Sequence, residues 1–215
     1  MRGLYRIIKE KTVAYDHWYE IEIFGYVKKE NLDSAEKISN TKQTKIDSKG
    51  KIKKCFLRST PLTLSEDDVK SMLKRHNFYA EDYNKSGNFE NDFIVDNKDI
   101  TVTDRATGLM WQKSGSSEYM KYEEAEEYIK NINNKVFAGY TDWRIPTLVE
   151  LMSLMEKQQK STLHISNVFS LKQRWCWSSD KFGLDRWNAG FIYGNVAYNS
   201  QNQGSYIRGV RCCGQ

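Results

Sequence analysis

Hydrophobic residues recur with two different periods along this chain, and the changes between them outline its elements. In WYEIEIFGYV, Tyr19, Ile21 and Ile23 alternate with Glu20, Glu22 and Phe24, the two-residue period of a strand. Little else in the first sixty residues is periodic, so residues 1–60 are read as a short β-rich accessory segment. From Leu64 the period turns helical. Ser65 precedes EDDVKSMLKRH with Asp68 at the third helical position, and Leu64 and Val69 are spaced as a hydrophobic staple. Val69, Met72, Leu73 and His76 then share one face. This helix and the Asn/Gly-rich loop after it make a lead-in, residues 61–92.

The next stretch, NDFIVDNKDITVTDRATGLMWQK, reads as a hairpin followed by a turn and another strand. Asp96-Asn97 and Thr107-Gly108 supply the turns, and Ile100, Val102, Leu109 and Trp111 the buried positions. Helical spacing returns in YEEAEEYIKNIN, with Ala125, Tyr128, Ile129 and Ile132 on one stripe. Thr147 and Glu150 then form a capping box ahead of Leu148, Leu151, Met152 and Met155. Short strands follow to the C-terminus. Helices segregated from strands in this way predict an α+β domain, two helices on small antiparallel sheets, over residues 93–215.

Charge adds one asymmetry. Residues 1–60 hold 14 Lys/Arg against 8 Asp/Glu, within a chain of net charge +5. Both signs are interspersed there and no nucleic-acid-binding motif accompanies them, so nucleic acid is not expected as a partner. No apolar run has the length of a signal-peptide core or a membrane span, which predicts a chain that is cytoplasmic as synthesised. Surface display or secretion would need another export route or a longer N-terminus. Cys55, Cys176, Cys212 and Cys213 show no paired metal-ligand spacing, and free thiols in a reducing compartment are expected. In DYNKSGNFENDF, Asp82, Asn84, Ser86 and Gly87 imitate a calcium loop, but Phe93 stands where a bidentate Glu is required. That segment is read as a turn, and neither a metal nor a cofactor is expected.

Five segments occur together in order: VTDRATGLMWQKSGS, YEEAEEYIKNIN, FAGYTDWRIPTLVELMSLME, WCWSSD and YIRGVR. In that order and spacing the chain resembles the Lcl C-terminal domain family, from about Phe93 to Arg211. The resemblance implies a C-type-lectin-like fold related to formylglycine-generating enzymes, with binding, glycan adhesion included, as the function. The last segment also resembles the variable region of proteins diversified by retroelements. Within TDWRIP, Asp142 and Arg144 are expected to brace a loop as a buried pair beside Trp143.

The two-residue period of RWNAGFIYGNVAYN sends Trp187, Ala189 and Phe191 to the core. The opposite, outer face is then Asn188, Gly190 and Ile192, continued by Tyr193, Asn195, Ala197, Tyr198 and Asn199. Phenols give rigid amphipathic area and amides give adaptable hydrogen bonds, so these eight residues are the candidate ligand-binding face, for a protein or a glycan. No nucleophile elbow, phosphate loop or acid–base cluster is present, so no catalytic residue is assigned. A fixed-specificity carbohydrate-binding domain is the alternative reading. An oxidase of the formylglycine-generating type, working through Cys176 or Cys212-Cys213, is a third.

Overall fold

The computed structural model describes residues 57–96 and 98–213. The chain divides into two units, Met1–Lys53 and Lys54–Gln215, and the described residues all belong to the second. The expected β-rich accessory segment lies, up to residue 56, outside the described residues.

Among the described residues, three α-helices and two antiparallel sheets make an α+β fold. Helix α1, Glu66–His76, starts at the expected cap: the Ser65 side chain accepts from the Asp68 N–H, and the Asp68 carboxylate accepts from the Ser65 N–H. It buries Val69 and Leu73 and ends at Asn77, whose φ of 56° closes the last turn. The calcium-like loop then completes this end. The Asn84 amide donates to the Phe78 and Leu73 carbonyls, and a Cβ at Gly87 would collide with the Phe78 carbonyl.

The first sheet runs β1 (Phe93–Val95), β2 (Thr101–Asp104), β3 (Leu109–Gln112) and β7 (Val210–Cys212). Asp96 makes the first turn by accepting from the Ile100 and Thr101 N–H groups, and Gly108, at φ 72°, makes the second. Helix α2, Tyr122–Asn134, buries Tyr122, Ala125, Ile129 and Ile132. Helix α3, Leu148–Met152, is a single buried turn and a half, capped by Thr147 and Glu150. Its apolar spacing continues to the buried Met155, but the backbone has left the helix by then.

The second sheet is β4 (Trp175–Phe182), β5 (Asp185–Gly190) and β6 (Asn195–Asn199), in that order. Between Trp177 and Lys181 the register of β4 shifts, a bulge that turns Ser178, Ser179 and Asp180 into the interior. Asp180, fully buried, accepts two hydrogen bonds from Arg58 and one each from the Leu62 and Leu148 N–H groups. One carboxylate thus joins the lead-in, α3 and β4.

Two apolar clusters result. The larger contains Trp111, Leu148, Leu151, Trp187, Ala189, Phe191 and Val196, and the smaller joins α2 to Trp143, Trp177 and Ile207. Asp142 and Arg144 do not pair with each other. Asp142 accepts from Arg211 Nε at 2.6 Å, and Arg144 pairs with the buried Glu150 at 2.5 Å. Asn133 holds Trp143 between them through both backbone groups. Cys176 and Cys213 stand outside any disulfide, but Cys212 is disulfide-bonded, against the expectation of free thiols throughout.

Candidate ligand-binding face

The β4-β5-β6 sheet has two sides, set by its register. Cys176, Ala189 and Val196 lie across from one another on one side, as do Trp187 and Tyr198. Trp175, Gly190 and Asn195 share the other, as do Trp177, Asn188 and Ala197. The first side faces the larger cluster, so Trp187 and Ala189 point inward as their period predicts.

The second side is not open along its whole length. Over its middle lie Met120, the start of α2 and the segment that returns at Ser205. Trp177 donates to the Met120 carbonyl at 2.8 Å and meets Tyr122 edge-on, while the Asn188 amide faces Ser205 Oγ at 3.5 Å. Asn188 is therefore fully buried, and its Oδ1 has no partner. Gly190 is also buried: a Cβ there would collide with the Asn195 side chain and the Trp175 ring, which lie over it. The period alone puts both residues on an outer surface. The strand has the phase that the period predicts, but distant chain covers Asn188 and the side chains of its own sheet neighbours cover Gly190.

The other six candidates separate as well. Ile192, in the β5–β6 turn, packs partly buried against the larger cluster. Tyr198 lies on the Trp187 side, stacked on Phe182 with centroids 4.0 Å apart and edge-on to Trp187. A chain that turns between two strands need not keep the phase it entered with, and this turn places Tyr198 opposite Trp187. Asn195, Ala197 and Asn199 remain together on the second side at intermediate exposure, and Tyr193, at the turn, is 61% exposed.

What stays open is a ledge at the Trp175 end. The half-buried Trp175 ring lies over Gly190, Tyr193 stands at 63° to it with centroids 6.0 Å apart, and Asn195 lies alongside. Tyr119, 48% exposed in the loop before α2, lies tilted at 33° against Tyr206 with ring centroids 4.2 Å apart. The backbone of Tyr206 is bonded in turn to that of Trp175 and Trp177, which brings this second phenol to the β4 edge. Burial raises the Tyr119 phenol above its ordinary pKa. Tyr119, Trp175, Tyr193 and Asn195 carry no charge of their own, and the exposed Arg174 acts on the Tyr119 phenol, so the ledge is aromatic with an amide and has a cation at its rim. Neither Trp175 nor Tyr119 is marked by a sequence pattern. Trp175 begins a strand whose neighbours are core residues, and Tyr119 sits in SGSSEYM, which has no period at all.

Among the described residues no helix is long and apolar enough to cross a membrane. Cys176 is fully buried, which pushes its thiol pKa up to about 12. Arg208, equally buried, donates to the Gln112, Lys113 and Ser170 carbonyls and to Gln173 Oε1, and so knits β3 to the segment before β4.

No curated protein matches the sequence. A family model does match, over residues 100–211, more than half of the 215-residue chain. Those residues run from β2 into the last strand and include the whole β4-β5-β6 sheet, the first sheet apart from β1, α2, α3 and the ledge. By this match the chain belongs to the Lcl C-terminal domain family.

Proposed function

We propose that the domain is a non-enzymatic, receptor- or adhesin-like binding module on a C-type-lectin-like scaffold. It takes a protein or glycan ligand on the ledge of Trp175, Tyr193, Asn195 and Tyr119. The observation that carries this reading is the half-open second side of the β4-β5-β6 sheet: its middle is covered by Met120, α2 and Ser205, while the Trp175 end leaves Trp175 and Tyr193 set at an angle beside the Asn195 amide. Aromatic side chains held by a rigid sheet offer contact area at little entropic cost, and a few such anchors dominate the energy of an interface. Against an oxidase, Cys176 is sealed from solvent and Cys212 is already in a disulfide, which leaves Cys213 as the one thiol of that reading both partly exposed and outside a disulfide.

A finer reading is that the ledge and the same side of β6 beyond it are a variable surface rewritten by a diversity-generating retroelement. Tyr193, Asn195, Ala197 and Asn199 support it, being accessible to different degrees on a framework of buried Trp187, Ala189 and Val196. Asn188 and Gly190 do not belong in such a set, because both are buried. The neighbouring DNA tests it: a near-repeat of the coding segment, differing at adenines beside a reverse transcriptase, would support diversification. Its absence would favour fixed specificity, for a carbohydrate above all.

The binding reading is tested with glycan and peptide arrays, probed with the full chain and with a Trp175→Ala, Tyr193→Ala, Tyr119→Ala variant. The expected result is array binding by the parent that the variant loses while its melting temperature stays near the parent's. Binding retained by the variant would overturn the assignment.

A further inference from the structure

The two sheets have four outer edges, and three of them are closed or short. The outer edge of β4 is bonded along its length to Leu62, Leu64, Pro146 and Tyr206. Arg144 exchanges both backbone bonds with Val210 on β7. Strand β1 has three residues and is flanked by Asp92 and Asp96. Exposed edges are commonly protected in these ways, by cover, by brevity or by charge.

Among the described residues strand β6 has none of these protections. It is the end strand of its sheet, and among the described residues no backbone group bonds to its outer edge over Asn195–Asn199. The nearest such bond, from the Glu81 N–H at 2.7 Å, reaches Gly194 just before the strand. The five residues include no charge, proline or glycine, and their pairing with β5 shows no bulge. Their order, Asn-Val-Ala-Tyr-Asn, is nearly palindromic about Ala197.

We propose that β6 pairs antiparallel with β6 of a second copy of this chain, centred on Ala197, to give one six-stranded sheet. In that register Asn195 faces Asn199 of the other copy, Val196 faces Tyr198, and Ala197 faces its own equivalent. Amide–amide pairs then line one side of the junction and Val–Tyr pairs the other, both favourable across a ladder. Tyr198, 38% exposed in the single chain, is covered by the second copy. The two-fold axis of an antiparallel junction stands perpendicular to the sheet, so both ledges face the same way. The two β4 strands lie five inter-strand steps apart, about 24 Å at about 4.8 Å per step. If the ledge is the binding face, the dimer presents two of them to one surface, with the gain in avidity that such linkage brings.

Sedimentation of the full chain over a wide concentration range, with single-cysteine additions at β6, tests the proposal. Residues facing themselves across an antiparallel ladder have Cα atoms about 4.5–5.5 Å apart, within the reach of a disulfide. The expected result is a reversible dimer in the parent, together with a covalent dimer that forms many-fold faster in Ala197→Cys than in Asn195→Cys under mild oxidation. Parent chain treated alike corrects for the native thiols. A chain that sediments as a monomer throughout overturns the proposal. So does a dimer in which the two variants cross-link equally, because the interface then lies elsewhere. Neither result depends on ligand binding, so failure here is distinct from failure of the ledge.

Discussion

Trp187 and Gly190 sit three positions apart on β5 and support the fold in opposite ways, one by bulk and one by its absence. Trp187 is fully buried, donates to the Leu64 carbonyl at 3.1 Å, and meets Phe182 and Tyr198 edge-on. Trp187→Ala should cost about 3–5 kcal/mol, read from the shift in a denaturant midpoint at unchanged slope. A loss within about 0.5 kcal/mol would mean that the ring is not in the core. Gly190→Ala adds one methyl where Trp175 and Asn195 already lie. It should destabilise by about 1–3 kcal/mol and, by displacing both groups, weaken binding without touching the ligand itself. Trp187 is legible from its period alone. The burial of Asn188 is not, because its cover arrives at Ser205 from a segment with no periodic signal. Chemistry hidden in the fold shows again at the cysteines. Alkylation of the unreduced, denatured chain should label Cys176 and Cys213 and leave Cys212 unmodified, and labelling of Cys212 would contradict the disulfide.

At the scale of elements, the caps are readable in the sequence and the joints between elements are not. The Ser65/Asp68 and Thr147/Glu150 boxes each mark a helix start in a few residues of sequence, and both are present. The bulge in β4 leaves no comparable mark, yet it delivers Asp180 to the Leu148 N–H at the start of α3. Helix α3 is short because its chain must turn at Ser153, whose N–H and hydroxyl both reach the Glu150 carbonyl. Asp180→Ala would strip Arg58 of its carboxylate partner and remove the acceptor of the Leu62 and Leu148 N–H groups. Breaking a buried pair by removing one partner typically costs about 3–5 kcal/mol, so a loss of that size is expected on thermal or chemical unfolding. A near-neutral result would show that the lead-in is not tied to the domain through this carboxylate. The phase of β6 is likewise unreadable, because the Phe191–Gly194 turn resets which residues face the core.

Across the whole domain, burial of phenols sets its behaviour in alkali. Burial, the largest cause, pushes both Tyr79 and Tyr122 up to about 12 from an ordinary 10.0. In the unfolded chain these groups lose their protons near 10, while in the folded chain they keep them to about 12. Their contribution to stability is therefore complete below about pH 10 and declines as pH rises from 10 towards 12. Alkaline unfolding should begin in that window, with phenolate absorbance lagging behind that of the denatured chain. Simultaneous ionisation of all tyrosines near 10 in a still-folded protein would contradict it.

The α+β architecture and the inward phase of β5 follow from local patterns. The ledge does not, because it is assembled from the start of β4, the β5–β6 turn and the loop before α2, and its shape depends on which part of one sheet the smaller cluster leaves bare. The most direct measurement is hydroxyl-radical footprinting of the full chain with and without a ligand identified on the arrays. Protection should fall on Tyr119, Trp175 and Tyr193. A footprint that leaves all three unprotected and falls instead on the separate cleft between Asn88–Asn91 and Met155–Lys160 would contradict the assignment of the binding face.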